Sequence, residues 1–591
     1  SEAVMKKKIA EVIFEFIRDA GVSTVFGISG GASLHLIHAA RSVGLMTIHG
    51  HHEQASVMAA DGFARSSNQF GCAIATSGPG ITNMVTGVAG AFYDSVPLMV
   101  IAGQVSTTRQ RRNTGCRQIG FQETPIASVF EEITKGVFEI GKNTDPIKVL
   151  QEAFDLMIEG RPGPVVIEIA DDVQRQIYNL NSKFIGRPAN GNSPLALSIS
   201  ESAITEAIDL ISRSKRPVAI VGSGIKSETA RDLTVDFIQE FKIPVAPTWG
   251  AVDLFKSNND QLVSTFGTHG QRVGNFAVQN ADLIIALGTR LDTKATGSPV
   301  SSFARNAKVI MVDVDKAEIE KFEHFGRPID LSVCSTVEVF LQAIRKRSFP
   351  IPSFEEWKKQ IKIWKNQLKS VDKEMRIKAD SGEVYDFFEK ISLSIGSDEV
   401  ILSDTGCSLP WLMQAFHFKG QQRFFHDFNN TAMGWCLPAA LGVNFGSPGR
   451  KITCFIGDGS FMMSIQELSV VKNYVPDIDI YILNNSGYSM IKQTQDQWFD
   501  GQYFASDNDL YFPDFRSIAS ASGIHFDSFN VKELDAHIKS KPQKGVNLFE
   551  VKIPEEARVI PQVKFGRPNE DMEPLLTNAL FDDCMLIGSA R

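Results

Sequence analysis

Ile452-Thr453-Cys454-Phe455-Ile456-Gly457-Asp458-Gly459-Ser460 is the stretch that decides how this chain is read. Ile452 to Ile456 is a short run of apolar and β-branched residues, which suits a buried strand of a parallel sheet. Glycines then turn the chain, and Met462 to about Asn473 reads as a helix. Ile478 to Leu483 reads as the next strand, ending in Asn484-Asn485 with Ser486-Gly487-Tyr488 after it. Strand, glycine turn, helix, strand predicts a parallel α/β sheet.

Ligands of such sheets bind outside the carboxyl ends of the strands. A helix N-terminus there offers free N–H groups to a phosphate, and glycine lets the backbone approach closely. Asp458 and Asn485 stand 27 positions apart, each at a strand end, so both are expected to reach one ion. A carboxylate, an amide and a backbone carbonyl are hard oxygen ligands. They suit Mg²⁺, with two diphosphate oxygens and water completing an octahedron. Gly-Asp-Gly alone would be an ordinary strand-to-helix turn; the asparagine pair at this spacing favours a site.

Working outward, the N-terminal third repeats the pattern. Ile9 to Ala20 has helical spacing, Thr24 to Ile28 reads as a strand before Gly30-Gly31, and Leu45 to His49 is a short apolar run. Glu53 to Arg65 reads as a helix and Cys72 to Thr76 as a strand. Ser77-Gly78-Pro79-Gly80, a helix to about Tyr93 and the strand Pro97 to Ala102 follow, and the unit closes near Val165 to Ile169. Asn179 to Pro194 is rich in turn formers and reads as a linker. A middle block has strands at Val218 to Val221, Ile243 to Ala246, Leu283 to Leu287 and Val309 to Val312. Phe354 to Gln367 is a charged helix bridging to a third block, which begins near Ser381 and includes the strand Val400 to Ser403. The expected fold is three parallel-sheet α/β domains, at 5–178, 195–345 and 372–558, with a loop-like tail at 559–591.

Composition limits the function. The 591 residues are 43% hydrophobic and 22% charged, with a formal net charge of −8. No basic block of the size that neutralises a phosphate backbone is present, which argues against nucleic acid. Lys6, Lys7 and Lys8 read as a solvated end of the first helix. No apolar run reaches the ~18–20 residues that span a bilayer, so no membrane partner is expected. The acids Glu11, Glu15 and Asp19 argue against a secretory signal. Seven cysteines (72, 116, 334, 407, 436, 454 and 584) contain no C-x-x-C pair. An odd, scattered set argues against a disulfide framework or a zinc site and fits a reducing, cytoplasmic compartment.

Gly-Asp-Gly followed by Asn-Asn resembles the diphosphate-anchoring motif of thiamine-diphosphate enzymes. His51-His52-Glu53-Gln54-Ala55, with Ala59-Ala60-Asp61-Gly62-Phe63-Ala64-Arg65, resembles a run of the acetohydroxyacid synthase family within them. The likeness extends over almost the whole chain. It implies that Asp458, Asn485 and the Gly487 carbonyl bind Mg²⁺, with Gly457, Gly459, Ser460 and Tyr488 around the diphosphate. Thr405, Gly406, Cys407 and Ser408 align more weakly with a second diphosphate loop. Glu53 is implied to be buried and protonated against the aminopyrimidine, which Pro79 and Asn83 also contact. Met433, in Ala432-Met433-Gly434, is implied to wedge between the cofactor rings rather than to be core filler. Phe121 and Gln122, in Phe121-Gln122-Glu123, are implied to line the reaction pocket. Because the glutamate and the metal motif of this family meet across a subunit interface, a homodimer or tetramer is implied.

In the middle block, Gly222-x-Gly224 is a weak nucleotide signal by itself. Together with His269-Gly270, Gly288-Thr289-Arg290-Leu291-Asp292 and Asp313, it resembles the segments that bind FAD, as a non-redox passenger, in acetohydroxyacid synthases. Related decarboxylases keep this domain without FAD. The chain also departs from the family. Thr494 replaces a pocket tryptophan, Lys294 a carboxylate-gripping arginine, and Asp171 a lysine, and Ile28-Ser29 stand where Tyr-Pro is usual. Lysine keeps the charge but not the bidentate fork. The tail Lys564 to Met572 resembles homologues that add a two-carbon unit to a keto-sugar nucleotide. The expected activity is therefore decarboxylation of a 2-keto acid, pyruvate by preference, with acyl transfer to a carbonyl acceptor such as a keto-sugar nucleotide. Acetolactate synthase proper and a simple 2-keto acid decarboxylase are the alternatives.

Overall fold

The computed structural model describes residues 6–179, 198–588 and 591. The linker reading at Asn179 to Pro194 therefore lies almost wholly outside the described residues. Three parallel sheets carry the fold. In the first domain the strands lie side by side in the order Met46–Ile48, Thr24–Gly27, Gly71–Ala75, Leu98–Gln104, Pro164–Ala170, Gly136–Ile140. In the third domain the order is Arg423–Phe425, Val400–Ser403, Ile452–Gly457, Asp477–Asn484, Gly545–Lys552, His525–Asn530. These are the same order of succession. The central sheet has one strand fewer, with Pro217–Val221 and Leu283–Leu287 adjacent at its switch point. Most of these central strands are fully buried, as expected of parallel sheets covered by helices on both faces.

The first and third domains share one continuous apolar core. Its seam is a helix pair, Glu53–Ser66 against Cys436–Gly446, whose backbones touch. A Cβ at Gly62 would lie 2.2 Å from the Ala439 carbonyl oxygen, and one at Gly442 would lie 1.8 Å from that of Ala59. The alanine-rich first helix and these glycines are what this close approach requires.

Three expectations are corrected. Lys6–Lys8 is not a helix end but a strand, paired antiparallel with Ile177–Asn179, so the two ends of the first domain are stitched together. The helix expected over Met462 to Asn473 is broken: Asp458–Met462 stops, a 3₁₀ turn covers Ile465–Glu467, and Leu468–Tyr474 resumes. The break lets the Glu467 side chain reach the first domain. The tail is not loop-like throughout. Gln562–Val563 pairs with Met572–Glu573, Asn578–Asp583 is helical, and Leu576 and Phe581 enter the central domain's core. Arg272, 1% exposed, ties it down by donating to the carbonyls of Met572 and Pro574 and pairing with Asp372 at 2.6 Å. Among the described residues no helix is long and apolar enough to cross a membrane.

Candidate active site

Asp458 opens the short helix after strand Ile452–Gly457 and is 1% exposed. Its Oδ1 accepts from the Gly459 N–H at 2.7 Å and its Oδ2 from the Gly487 N–H at 3.1 Å. One carboxylate thus ties two adjacent strand ends. Burial pushes its carboxyl up to about 6 against backbone donors that pull it down. Asn485 donates from Nδ2 to Ser489 Oγ at 2.6 Å, which leaves its amide oxygen as the available acceptor. A Cβ at Gly487 would lie 2.2 Å from the Ser506 carbonyl oxygen, and one at Gly459 would strike the Tyr488 ring at 1.9 Å, so neither position accepts a side chain.

A cavity of about 950 Å³ opens in front of these loops. Gly457, Asp458, Gly459, Ser460, Asn485, Gly487 and Tyr488 line it, together with Thr405, Gly406, Cys407, Ser408 and Met433. At Gly406 (φ +98°) and Gly457 a Cβ would meet nothing within 4 Å, which leaves room for a ligand against the backbone. A buried carboxylate held only by backbone N–H groups, an amide oxygen and open glycine backbone fit Mg²⁺ and a diphosphate.

The same cavity runs on into the central domain. Gly224, His269, Gly288, Arg290, Asp292 and Asp313 line it; Gly222 does not. A Cβ at Gly222 would lie 2.6 Å from Thr289 Cβ, so the packing of this loop against Thr289 itself requires glycine. The Gly224 N–H donates to the Gly288 carbonyl at 2.8 Å, joining the loops at the sheet's switch point, where α/β proteins bind nucleotides. Burial lifts the Asp313 carboxyl to about 6, and burial together with Lys294 holds His269 down to about 4 and neutral. Lys226, pushed down to about 8 by burial, also lines the cavity while donating to the Asp94 and Ser95 carbonyls. A half-buried acid, the cations Arg290, Lys226 and Lys294 and a switch point fit a dinucleotide. Thr494 and Lys294, two of the departures noted above, face this cavity as well.

The first-domain residues are elsewhere. Glu53, Pro79, Asn83, Phe121 and Gln122 form no part of the cavity wall. They form a second constellation of their own. Asn83 Nδ2 donates to Glu53 Oε1 at 3.0 Å, and a Cβ at Gly80 would lie 3.8 Å from Glu53 Oε2. Gln122, at φ +65°, packs over Gly78, while the ring of Phe121 is 85% exposed. Glu53 is half-buried rather than buried within a single chain. The Glu53–Asn83 pair thus lies outside the wall of the cavity that Asp458 and Asn485 line.

Three acids that the sequence reading passed over hold these parts in place. Asp404, fully buried, accepts from the N–H groups of Thr405 (2.8 Å), Gly434 (3.1 Å) and Cys436 (3.1 Å), tying the Thr405 loop to the turn that follows Met433. Asp94 of the first domain pairs with Arg65 at 2.8 Å and accepts from the N–H groups of Phe428 (2.9 Å) and Asn429 (3.1 Å) in the third. Glu467 of the third domain accepts from the His51 N–H at 2.9 Å, two residues ahead of Glu53. Asp404 sits at a strand end as visibly as Asp458 does. Asp94 and Glu467 bridge domains, and nothing in a single sequence marks that.

Three family models match in order: the N-terminal TPP binding domain of thiamine pyrophosphate enzymes over residues 7–127, their central domain over 204–344, and their C-terminal TPP binding domain over 404–551. Acetolactate synthase, chloroplastic, of Arabidopsis thaliana is 32% identical over 96% of this chain and 84% of its own length. The chain belongs to the thiamine pyrophosphate enzyme family. Within it, the chain is similar along almost its whole length to acetolactate synthases. The acetolactate synthase large subunit of Lactococcus lactis is 30% identical over 95% of both chains, and acetolactate synthase 3, chloroplastic, of Brassica napus is 33% identical over 96% of this one. The matched domains are the three α/β units of the fold; Glu53 and Asn83 fall in the N-terminal TPP binding domain and Asp458 and Asn485 in the C-terminal one.

Proposed function

We propose that this thiamine pyrophosphate enzyme decarboxylates a 2-keto acid of the pyruvate class and transfers the acyl unit to a carbonyl acceptor, forming a carbon–carbon bond. The observation that carries the reading is a cavity lined by Asp458, Asn485, Gly487 and open glycine backbone, with the Glu53–Asn83 pair of the first domain outside its wall. Asp458, Asn485 and the Gly487 carbonyl would hold Mg²⁺, and Thr405 to Ser408 and Gly457 to Ser460 the diphosphate. Thiamine diphosphate, when bound, supplies the electron sink for decarboxylation. Met433 shapes the wall beside it. Glu53 would face the aminopyrimidine with Oε2, since Oε1 already accepts from Asn83. Gln122 and Phe121 orient donor and acceptor. The cavity and the Glu53–Asn83 pair are half-sites, complete only when a second copy brings its first domain to the cavity, so the working unit is at least a homodimer.

The central part of the cavity would take FAD, with Asp313, Arg290 and Lys226 as its polar contacts, as a structural group. The acceptor is a keto-sugar nucleotide rather than a second pyruvate. Thr494 widens the cavity, and Lys294 offers a point charge where a bidentate grip on a small carboxylate would need arginine. The experiment is a carbon balance on purified protein given pyruvate, Mg²⁺, thiamine diphosphate and FAD. Slow CO₂ release with little acetolactate, accelerated by a keto-sugar nucleotide, is expected. Brisk conversion of pyruvate into acetolactate would instead establish an ordinary acetolactate synthase.

A further inference from the structure

Between Val105 and Gln122 the sequence holds four arginines (Arg109, Arg111, Arg112 and Arg117) and no Asp or Glu, in a chain whose net charge is −8. The next residue, Glu123, does not neutralise them. Its Oε2 accepts from the Arg111 N–H at 2.6 Å and its Oε1 from the Ile119 N–H at 2.9 Å, so the carboxylate is spent on folding the loop back on itself. Gln118 Nε2 adds a bond to the Glu123 carbonyl at 3.1 Å, and Arg111 closes the loop from inside by donating to the Cys116 carbonyl at 3.3 Å. At its base, Asp172 accepts from both the N–H and the hydroxyl of Thr107. The loop is therefore a built structure that presents its remaining arginines outward.

Arg109, Arg112 and Arg117 are exposed. Arg112 makes one solvent-exposed pair with Glu139 at 3.8 Å. Among the described residues Arg109 and Arg117 have no carboxylate partner. The loop leads directly into Phe121 and Gln122, and Gln122 packs over Gly78 in the turn that reaches Glu53. A cationic rim thus stands beside the half-site that holds Glu53. Glu139 meets Arg112 only, Glu123 and Asp172 are bonded to the loop's own backbone and Thr107, and Arg109 and Arg117 are left without a carboxylate among the described residues.

We propose that this arginine loop is a diphosphate-binding subsite that takes the phosphates of the acceptor. The planar guanidinium matches phosphate oxygens two at a time and is weakly hydrated, so two unpaired arginines on an ordered loop select a diphosphate over a neutral sugar. The proposal rests on the reading that the acceptor is a nucleotide-linked ketone, and it gives that reading a recognition element. A small acceptor such as pyruvate needs no such element.

The test uses holoenzyme saturated with thiamine diphosphate, Mg²⁺ and FAD, so that the cavity's own anion sites are filled. Binding of uridine diphosphate, inorganic pyrophosphate and uridine is measured by calorimetry on the wild type, Arg109→Ala/Arg117→Ala and Arg109→Lys/Arg117→Lys. Uridine diphosphate and pyrophosphate should bind and uridine should not. The alanine pair should weaken binding at least about tenfold and the lysine pair less, with affinity falling as salt rises. In steady state the alanine pair should raise KM for a nucleotide-linked ketone and leave KM for a small uncharged ketone in place. Equal diphosphate binding by wild type and alanine pair, or capture of heparin without uridine diphosphate, overturns the subsite. If the loop binds uridine diphosphate but no nucleotide-linked ketone is turned over, the subsite stands and the acceptor reading falls. If such a ketone is turned over with the same KM in both proteins, the acceptor reading stands and the subsite falls.

Discussion

The first and third domains share one strand order, and the ends of their equivalent strands carry different chemistry. After Ile452–Gly457 the third domain places Asp458 and two glycines, with Asn485 beside them. After Gly71–Ala75 the first domain places Thr76-Ser77-Gly78-Pro79-Gly80, with no carboxylate. Thr76 Oγ1 accepts from the Ala32 N–H at 3.1 Å and so is committed to the neighbouring loop. The acid of the first domain comes instead from a helix start, Glu53, where Asn83 meets it. One topology thus places a buried carboxylate with glycine loops at one set of strand ends and, in the other domain, a glutamate met by an asparagine at a helix start. The fold supplies open strand ends; the residues placed there decide what they hold.

The comparison makes a sharp prediction about which half does what. Asp458→Asn should abolish Mg²⁺-dependent thiamine diphosphate binding, read by fluorescence titration, and CO₂ release with it. Glu53→Gln should keep cofactor binding and lose about 10²–10⁴-fold in CO₂ release, the range for a positioned proton donor. Full activity of Glu53→Gln would remove the first domain from the chemistry altogether.

Mixing the two inactive proteins breaks or sharpens the comparison further. If each site is built from the first domain of one copy and the third of another, an equimolar, re-equilibrated mixture contains dimers with one intact site. Activity should return to about a quarter of wild type by random pairing. No recovery from fully exchanged dimers would mean that the half-sites come from one chain.

Smaller effects should follow from the acids exchanged between the domains. Asp94→Asn loosens the segment leading to Met433, so it should weaken thiamine diphosphate binding by about tenfold, the scale of one hydrogen bond to a charged group. Glu467→Gln loosens the entry to the Glu53 helix, so it should lower kcat by a similar factor with cofactor affinity kept. If both variants change the same parameter, the two clamps do not serve separate half-sites.

The smallest effect concerns Asp427, at the same seam. Its Oδ1 has no hydrogen-bond partner and would lie 2.8 Å from a Cβ at Gly90. Burial pushes its carboxyl up to about 7, against the pull of Arg65. A carboxyl raised in the folded state adds stability that is fully present below its unfolded pKa and lost as pH rises through the folded value. Asp427→Asn should therefore raise stability on the order of 1–2 kcal/mol at pH 8 and much less at pH 5. Denaturant unfolding at the two pH values checks this; an equal shift at both would mean that ionisation is not involved.

The cavity loops were legible because their chemistry is local. Gly457-Asp458-Gly459 and Asn485 each stand at a strand end, and a strand end is visible in a run of apolar residues before a turn. Thr405 to Ser408, the weakest of the sequence matches, lines the same cavity as those loops. Less visible were the edge strands Gly136–Ile140 and Arg423–Phe425, which are short, and the tail, whose Leu576 and Phe581 make sense only against the central core. Lys6–Lys8 was misread because a three-residue edge strand is defined by its partner, Ile177–Asn179, and not by its own composition.

By itself, the sequence determined three α/β units, the placing of Asp458 and Asn485 at strand ends, and the family likeness. Those follow from residue type and short-range periodicity, which act over one strand or one helix turn. Only the tertiary structure decided that Asp458 lines a cavity whose wall does not include Glu53, that Gly222 packs against Thr289, and that Asp94 and Glu467 cross between domains. These depend on contacts between residues hundreds of positions apart, such as Glu467 with His51, and no local pattern records which surfaces the folded chain brings together.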